Sequence, residues 1–224
     1  MSMEIPILDV DEILTPSGLI LRQASNPVYN GCTFGEVHDL HGNPVAFLRD
    51  SLADNFSIGL KALEELGKSG IRLTAHAPFV TTEGIELLLT EYVDGPTLDE
   101  IDVPEDTLVR LAVSLGGYHL DRLRSGEIVL GDIISPFQYK VKDGEPILID
   151  LDMHYHTPSS PDSLARFVKS QLIEIAETYD DILSGEGSSV LADRLQMMHR
   201  EVGATIDTDS STEVMAKAAM GRIG

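Results

Sequence analysis

The 224-residue chain has few of the groups that cross-link a protein or anchor it in a membrane. It contains one cysteine, Cys32, and no tryptophan. A single cysteine excludes an internal disulfide and a cysteine-rich zinc site, and it is typical of a reducing compartment. The first residues lack the basic segment and apolar run of a signal peptide, and no stretch of about 18 apolar residues could span a membrane. We therefore expect a cytoplasmic protein.

Positive charge is also scarce. The chain has 16 Lys and Arg residues against 37 Asp and Glu residues, which gives a formal net charge of −21. Such a surface repels phosphate backbones, so nucleic acid and anionic membranes are disfavoured as partners. A high-salt cytoplasm would produce the same balance. An anionic ligand such as a nucleotide would need Mg²⁺ to bind a protein of this charge.

The pattern of apolar residues divides the chain into two parts. Residues 1–91 read mainly as strands, with a hairpin at 33–48, a helix at 55–68 and a buried strand at 85–92. Residues 92–224 read mainly as helices at 106–124, 163–183 and 188–202, with a small hairpin whose strands are 139–141 and 146–151. We therefore expect an α+β fold of two lobes, with a hinge at 91–96 and a ligand cleft between the lobes.

Two aspartates stand where a charge is costly unless it faces a cleft, a metal or a partner. Asp132 follows Gly131 after the long helix, and Asp150 directly follows the apolar run at 147–149. The small hairpin joins them, so the fold can bring both to one end of the cleft. One carboxylate could orient or deprotonate a hydroxyl while the other holds Mg²⁺ on phosphates.

Three short segments carry a resemblance to a known family. Residues 87–98 (LLLTEYVDGPTL), 130–133 (LGDI) and 149–152 (IDLD) resemble the hinge, catalytic loop and metal site of the protein-kinase-like superfamily. The resemblance covers about residues 29–154 and is to the aminoglycoside-phosphotransferase-like and RIO-type branches. It implies a bilobal protein-kinase-like fold, with an antiparallel N-lobe sheet and one helix before a mainly helical C-lobe.

The resemblance also implies roles for individual residues. Asp132 would be the catalytic base and Asp150 the main Mg²⁺ ligand, with Asp152 a further metal candidate. The backbone of the hinge would contact the adenine of ATP; its residues are Glu91, Tyr92 and Val93. The family asparagine that holds a second metal falls on Phe137, or on Gln138 if one residue is inserted.

The chain departs from the family pattern on the nucleotide side. Leu130 stands where the family has a histidine, and Leu48 aligns with the ATP-binding lysine. Arg49 is one residue further and would point to the opposite face of a regular strand, unless a bulge re-aims it. Glu64 or Glu65 of the following helix could take the place of the lysine's partner.

These features leave three hypotheses. The first is a divergent ATP- and Mg²⁺-dependent phosphotransferase acting on a small-molecule or protein hydroxyl. The second is a pseudokinase that serves as a binding or regulatory module. The third is a metallohydrolase, because four potential ligands alternate from 150 to 156: Asp150, Asp152, His154 and His156. A straight strand would spread these four over about 20 Å, which disfavours a single metal site.

Overall fold

The computed structural model describes residues 7–8, 12–14, 20–25, 34–38, 44–50, 56–81, 86–127, 129–130, 132–151, 155–156, 160–183 and 185–205. The strands in this part of the chain are β1 (Ile7–Leu8), β2 (Glu12–Leu14), β3 (Ile20–Ser25), β4 (Phe34–His38), β5 (Pro44–Asp50), β6 (His76–Thr81), β7 (Glu86–Glu91), β8 (Val129–Leu130), β9 (Tyr139–Lys142), β10 (Glu145–Leu148) and β11 (Tyr155–His156). The helices are α1 (Phe56–Lys68), α2 (Glu105–Ser125), α3 (Pro161–Asp180) and α4 (Gly185–Thr205), and a 3₁₀ turn covers Pro136–Gln138.

Strands β1 to β7 form one sheet in the order β1-β6-β7-β5-β4-β3-β2. All neighbouring pairs are antiparallel except β1 and β6, which are parallel, so the expectation of a wholly antiparallel sheet was wrong at this edge. Helix α1 connects β5 to β6, and β7 then pairs with both of these strands. Two further sheets have two strands each, β9 with β10 and β8 with β11. The fold is α+β.

Local sequence signals explain where the helices begin and end. Ser160 caps α3 by accepting a hydrogen bond from the N–H of Ser163 at 3.1 Å, and Pro161 occupies the first turn. Helix α2 has acidic residues in its first turn and basic residues in its last turn, which complements the helix dipole. It ends at Gly126, whose φ of 67° is the left-handed conformation that glycine adopts without strain.

One core joins the sheet to the helices. Leu88 of β7, Leu63 and Leu66 of α1 and residues from α2, α3 and α4 belong to a single buried cluster. Helices α2 and α4 approach closely at Gly116, where a Cβ atom would lie 2.8 Å from Met198 Sδ. A larger residue here would require the Met198 side chain to shift.

The predicted helices are confirmed, and their ends differ from the prediction by no more than three residues. Strand β6 escaped sequence reasoning because Pro78 cannot donate to a sheet. It is tolerated here because β1 pairs only with Val80 and Thr81. Within the described part of the chain, no helix has the length and apolarity needed to cross a membrane.

Candidate functional site

The β9 edge of the small hairpin is joined to the segment that follows β7. Leu98 donates its N–H to the carbonyl of Tyr139 at 2.9 Å, and Val141 donates its N–H to the carbonyl of Pro96 at 2.9 Å. Gly95 has a φ of 140°, and a Cβ atom there would lie 2.7 Å from the carbonyl oxygen of Val141. Gly95 of the Asp-Gly-Pro loop therefore lies close to the hairpin, where a side chain would clash with the Val141 carbonyl.

The β10 edge is joined to the segment before β6. Thr74 donates its N–H to the carbonyl of Leu148 at 2.9 Å, and Leu148 donates its N–H to the carbonyl of Arg72 at 2.9 Å. The Thr74 hydroxyl also donates to the carbonyl of Glu91 at 2.9 Å, and Glu91 donates its N–H to the carbonyl of Ala75 at 2.8 Å. The hairpin and the end of β7 thus share one hydrogen-bonded frame.

The 3₁₀ turn before β9 separates two neighbouring residues. Phe137 is 60% exposed, whereas Gln138 is 2% exposed, and the carbonyl of Gln138 accepts the N–H of Ile149 at 2.9 Å. The Gln138 side-chain oxygen Oε1 is buried and has no hydrogen-bond partner among the described residues. A buried polar atom left in this way costs about 1–3 kcal/mol. The backbone bond places Gln138 opposite Ile149, the residue before Asp150, and Asp150 is half-buried.

Asp132 lies at the start of the loop that leads to this turn. Its side chain is exposed, while Ile133 and Ile134 are each 2% exposed. Asp132 has a φ of 55°, a left-handed conformation that costs most residues about 1–2 kcal/mol and that Asp and Asn adopt more readily than others. Residues held in such conformations cluster at functional sites.

The three residues predicted to form the hinge differ in exposure. Glu91 is exposed, Tyr92 is half-buried and Val93 is 6% exposed. Because Thr74 and Ala75 already engage the carbonyl and N–H of Glu91, a further ligand could reach only the second lone pair of that carbonyl.

The two glutamates of α1 have different surroundings. Glu64 is exposed and pairs with Lys68 at 2.9 Å. Glu65 is half-buried and pairs with Lys68 at 2.9 Å and with Arg122 of α2 at 3.2 Å. The hydrogen bond from Lys68 lowers the pKa of Glu65, and the charges of Lys68 and Arg122 act in the same direction, while burial opposes them.

Arg122 is the centre of a charge cluster that ties α1 to the end of α2. It is 8% exposed, it donates to Glu127 Oε2 at 2.5 Å, and its guanidinium lies 5.7 Å from the centroid of the Tyr118 ring. Lys61 of α1 also pairs with Glu127 at 2.6 Å, and this hydrogen bond is the main cause of a lowered Glu127 pKa. Sequence reasoning missed this cluster, because its members are up to 66 residues apart.

The pairing of β5 with β7 determines on which face of the sheet each residue of β5 lies. Arg49 lies opposite Leu88, and Leu48 lies opposite Leu89, with no irregularity between them. Directly opposed residues share a face of the sheet. Leu88 belongs to the same core cluster as Leu63 of α1. Position 49, rather than position 48, is therefore on the face that carries α1.

The single strand that the metallohydrolase hypothesis needs is not formed. Strand β10 ends at Leu148 rather than at Leu151, because the N–H of Gln138 bonds to Ser135 in the 3₁₀ turn and is not available to Ile149. Strand β11 pairs with β8 in a different sheet. Asp152 and His154 lie outside the described residues. Within those residues, no group of three His, Cys, Asp or Glu side chains could hold a metal ion.

His119 of α2 is a packed core histidine. It is fully buried, with its ring centroid 5.3 Å from that of Tyr118 and 6.3 Å from that of Phe167. Burial lowers the pKa of His119 from 6.5 to about 3, so the ring is neutral at physiological pH.

Comparisons with known proteins give structural similarity without sequence similarity. No protein-family model and no curated protein matches the chain. The chain is similar to the kinase domain of Mycobacterium tuberculosis PknI at 13% identity and a TM-score of 0.43, covering 100% of both chains. It is also similar to the Neurospora crassa PAN3 pseudokinase at 10% identity and a TM-score of 0.40. That second alignment covers 99% of this chain and 65% of the pseudokinase chain.

Proposed function

We propose that the chain has a bilobal protein-kinase-like fold and acts as an ATP- and Mg²⁺-dependent phosphotransferase on a small-molecule or protein hydroxyl. The order of elements supports this fold, since one helix interrupts the sheet between β5 and β6 and β7 inserts between those strands. Helices α2 to α4 all follow the end of β7. The cleft would lie where the hairpin β9–β10 meets the hinge.

The observation that carries the proposal is the buried, unpartnered Oε1 of Gln138, a residue whose backbone carbonyl bonds to Ile149, directly before Asp150. A carboxylate and an amide oxygen are hard donors of the kind that Mg²⁺ prefers, and Mg²⁺ commonly takes only one or two protein carboxylates together with phosphate oxygens. Asp150 and Gln138 would hold the ion, and Asp152 remains a predicted ligand. The ion would neutralise phosphate charge that the protein's net charge of −21 would otherwise repel.

Asp132 is the proposed base. Its exposed carboxylate can reach a hydroxyl brought from solvent, and its backbone is anchored by the buried Ile133 and Ile134. A positioned carboxylate can orient the attacking hydroxyl and accept its proton as the phosphoryl group is transferred.

Arg49 is the proposed replacement for the family lysine. Position 49 lies on the α1 face of the sheet, which supports this role, whereas Leu48 lies on the other face. A guanidinium is a strong bidentate donor to phosphate oxygens, so Arg at this position can bind them without the lysine. Tyr92 and Val93 are the proposed adenine contacts of the hinge.

One observation favours the second candidate, a pseudokinase that binds or regulates without turnover. Glu65, the better buried of the two candidate partners for the phosphate-binding cation, is engaged by Arg122 and Lys68. Glu64 is exposed and pairs with Lys68. A carboxylate shared by two other cations is less available to a third such as Arg49.

Phosphorus NMR of the protein with ATP, with Mg²⁺ or with EDTA, separates the two candidates. A phosphotransferase should convert ATP to ADP only when Mg²⁺ is present, with transfer to water where no acceptor is supplied. Mg²⁺-dependent line broadening of the ATP signals without conversion would support the pseudokinase. Unperturbed signals at millimolar protein and Mg-ATP would refute the phosphotransferase and leave a pseudokinase that does not bind nucleotide.

A further inference from the structure

Two tyrosines from different elements reach the loop that begins at Asp132. Tyr139 of β9 and Tyr179 of α3 are both fully buried. The Tyr139 hydroxyl donates to the carbonyl of Ile133 at 2.5 Å, and the Tyr179 hydroxyl donates to the carbonyl of Ile134 at 3.4 Å. The two hydroxyls therefore engage successive carbonyls directly after Asp132.

These hydroxyls are suited to act as permanent donors. Burial raises the pKa of Tyr139 well above 10.0, and the nearby Tyr179 adds to the effect, while burial alone raises the pKa of Tyr179. Neither hydroxyl ionises in the range where a protein works, so neither bond is lost with pH. Phenylalanine would fill the same space in the core, which means that the hydroxyls serve the loop rather than the packing.

We propose that Tyr139 and Tyr179 are positioning residues that hold Asp132 in its left-handed conformation and aim its carboxylate. A strained residue persists only where its surroundings over-determine it, and here two buried donors fix the two residues that follow it. Tyr139 also accepts the N–H of Leu98 through its own carbonyl, so the same residue ties the loop to the segment after the hinge. The restraint on the loop stands on its own geometry, whereas its consequence for turnover rests on the proposed phosphotransfer.

Hydrogen exchange of the Gln138 amide, followed by NMR in the ligand-free protein, tests the restraint. This amide closes the 3₁₀ turn by donating to the carbonyl of Ser135 at 3.0 Å. The amide of Val141, which bonds to Pro96 on the hairpin edge, is the internal reference. Removal of a buried hydrogen bond should speed local opening. We expect Tyr139→Phe to accelerate Gln138 exchange about tenfold, Tyr179→Phe to accelerate it roughly two- to threefold because its bond is longer, and Val141 exchange to stay unchanged.

The matched control is Ser170→Ala, which removes another hydroxyl-to-carbonyl bond from α3. Ser170 donates to Phe167 at 2.7 Å on the exposed surface, and its loss should leave the Gln138 amide at the wild-type rate. Exchange of Gln138 at the wild-type rate in both phenylalanine variants would overturn the proposal. So would acceleration of Gln138 and Val141 by the same factor, because that reports general loosening.

The kinetics of phosphate transfer are the second part of the test. If the wild type transfers phosphate, Tyr139→Phe should lower kcat about tenfold while leaving the KM for Mg-ATP unchanged. A rise in KM with unchanged kcat would overturn the assignment to Asp132. A wild type without turnover would count against the proposed function, and the exchange result would still decide whether the tyrosines restrain the loop.

Discussion

The carbonyl of Gln138 accepts a hydrogen bond from the N–H of Ile149 at 2.9 Å, and this bond joins two segments that are 11 positions apart in the chain. Strand β10 ends at Leu148, two residues before Asp150. The bond places Gln138, whose side-chain amide oxygen is buried, opposite the residue that precedes this carboxylate. The proposed binding of Mg²⁺ by Asp150 and Gln138 depends on this relationship.

Gln138→Met should separate stability from binding. Methionine has nearly the length of glutamine but no buried amide oxygen, so removal of an unpartnered polar atom should leave stability unchanged or raise it by up to about 1 kcal/mol. The same variant should weaken Mg²⁺-dependent ATP binding by roughly ten- to hundredfold. Urea unfolding and calorimetry measure the two effects. A variant that loses stability while binding normally would show that Gln138 is a structural residue.

Asp132→Asn tests the proposed base with little disturbance of the backbone. Asparagine tolerates the left-handed conformation that Asp132 adopts, with its φ of 55°. Loss of the carboxylate should reduce phosphate transfer by about 10²-fold or more while Mg-ATP affinity changes little. Single-turnover kinetics and calorimetry check this pair of outcomes. Turnover at the wild-type rate in Asp132→Asn would eliminate Asp132 as the base.

Arg122→Met should destabilise the protein through the cluster that joins α1 to α2. The Arg122 side chain is 10% exposed and lies between Glu65 and Glu127, whose carboxylates would then lose their shared cation. We expect a loss on the order of 2 kcal/mol in urea unfolding, less than for a fully buried pair because the carboxylates are partly solvated.

Arg124→Met is the matched control for this experiment. Arg124 also bridges two carboxylates, Asp121 and Glu201, but its side chain is 55% exposed. Exposed pairs of this kind contribute little, so the loss should stay below about 1 kcal/mol. Equal losses in the two arginine variants would contradict the importance assigned to burial.

His119 should make the protein less stable in acid. Its pKa falls from 6.5 to about 3 on burial, so the unfolded chain binds the proton more tightly than the folded one. Above pH 6.5 the neutral His119 costs the folded protein no stability. As the pH falls from 6.5 towards 3 the free energy of unfolding decreases, with a slope of at most about 1.4 kcal/mol per pH unit.

The variant His119→Leu isolates this effect from the titration of the carboxylates. As the pH is lowered from 7.5 to 4.5, the free energy of unfolding should decrease more for the wild type than for the variant. A difference that stays constant over this range would mean that the histidine finds a proton-compatible environment in the folded state.

The sequence was sufficient for the elements whose signals are local. The stripes of apolar residues predicted the four helices of the described part of the chain. The Asp143-Gly144 turn predicted the small hairpin, and both of these residues have positive φ. Strand β6 was missed because Pro78 interrupts its pattern. The end of β10 was misplaced because the Gln138 N–H bonds to Ser135 in the 3₁₀ turn instead of to Ile149, and the apolar run gives no sign of this.

The site was only partly predictable for the same physical reason. Asp132 and Asp150 stand out locally, since each is a charge next to buried apolar residues. The choice between Leu48 and Arg49 depends on the register with β7, and the choice between Phe137 and Gln138 depends on which side chain is buried. The engagement of Glu65 by Arg122 joins residues 57 positions apart. No local pattern encodes such contacts.

The central claim is that Asp150 holds the metal of a Mg-nucleotide site. Calorimetric titration of Mg-ATP into wild type, Asp150→Asn and Asp143→Asn tests it most directly, because Asp143 carries the same charge at the far turn of the same hairpin and its φ of 56° suits asparagine. We predict that wild type and Asp143→Asn bind Mg-ATP, that EDTA abolishes this binding, and that Asp150→Asn weakens it at least tenfold. Equal affinity in all three proteins, or no binding by the wild type at millimolar Mg-ATP, would contradict the claim.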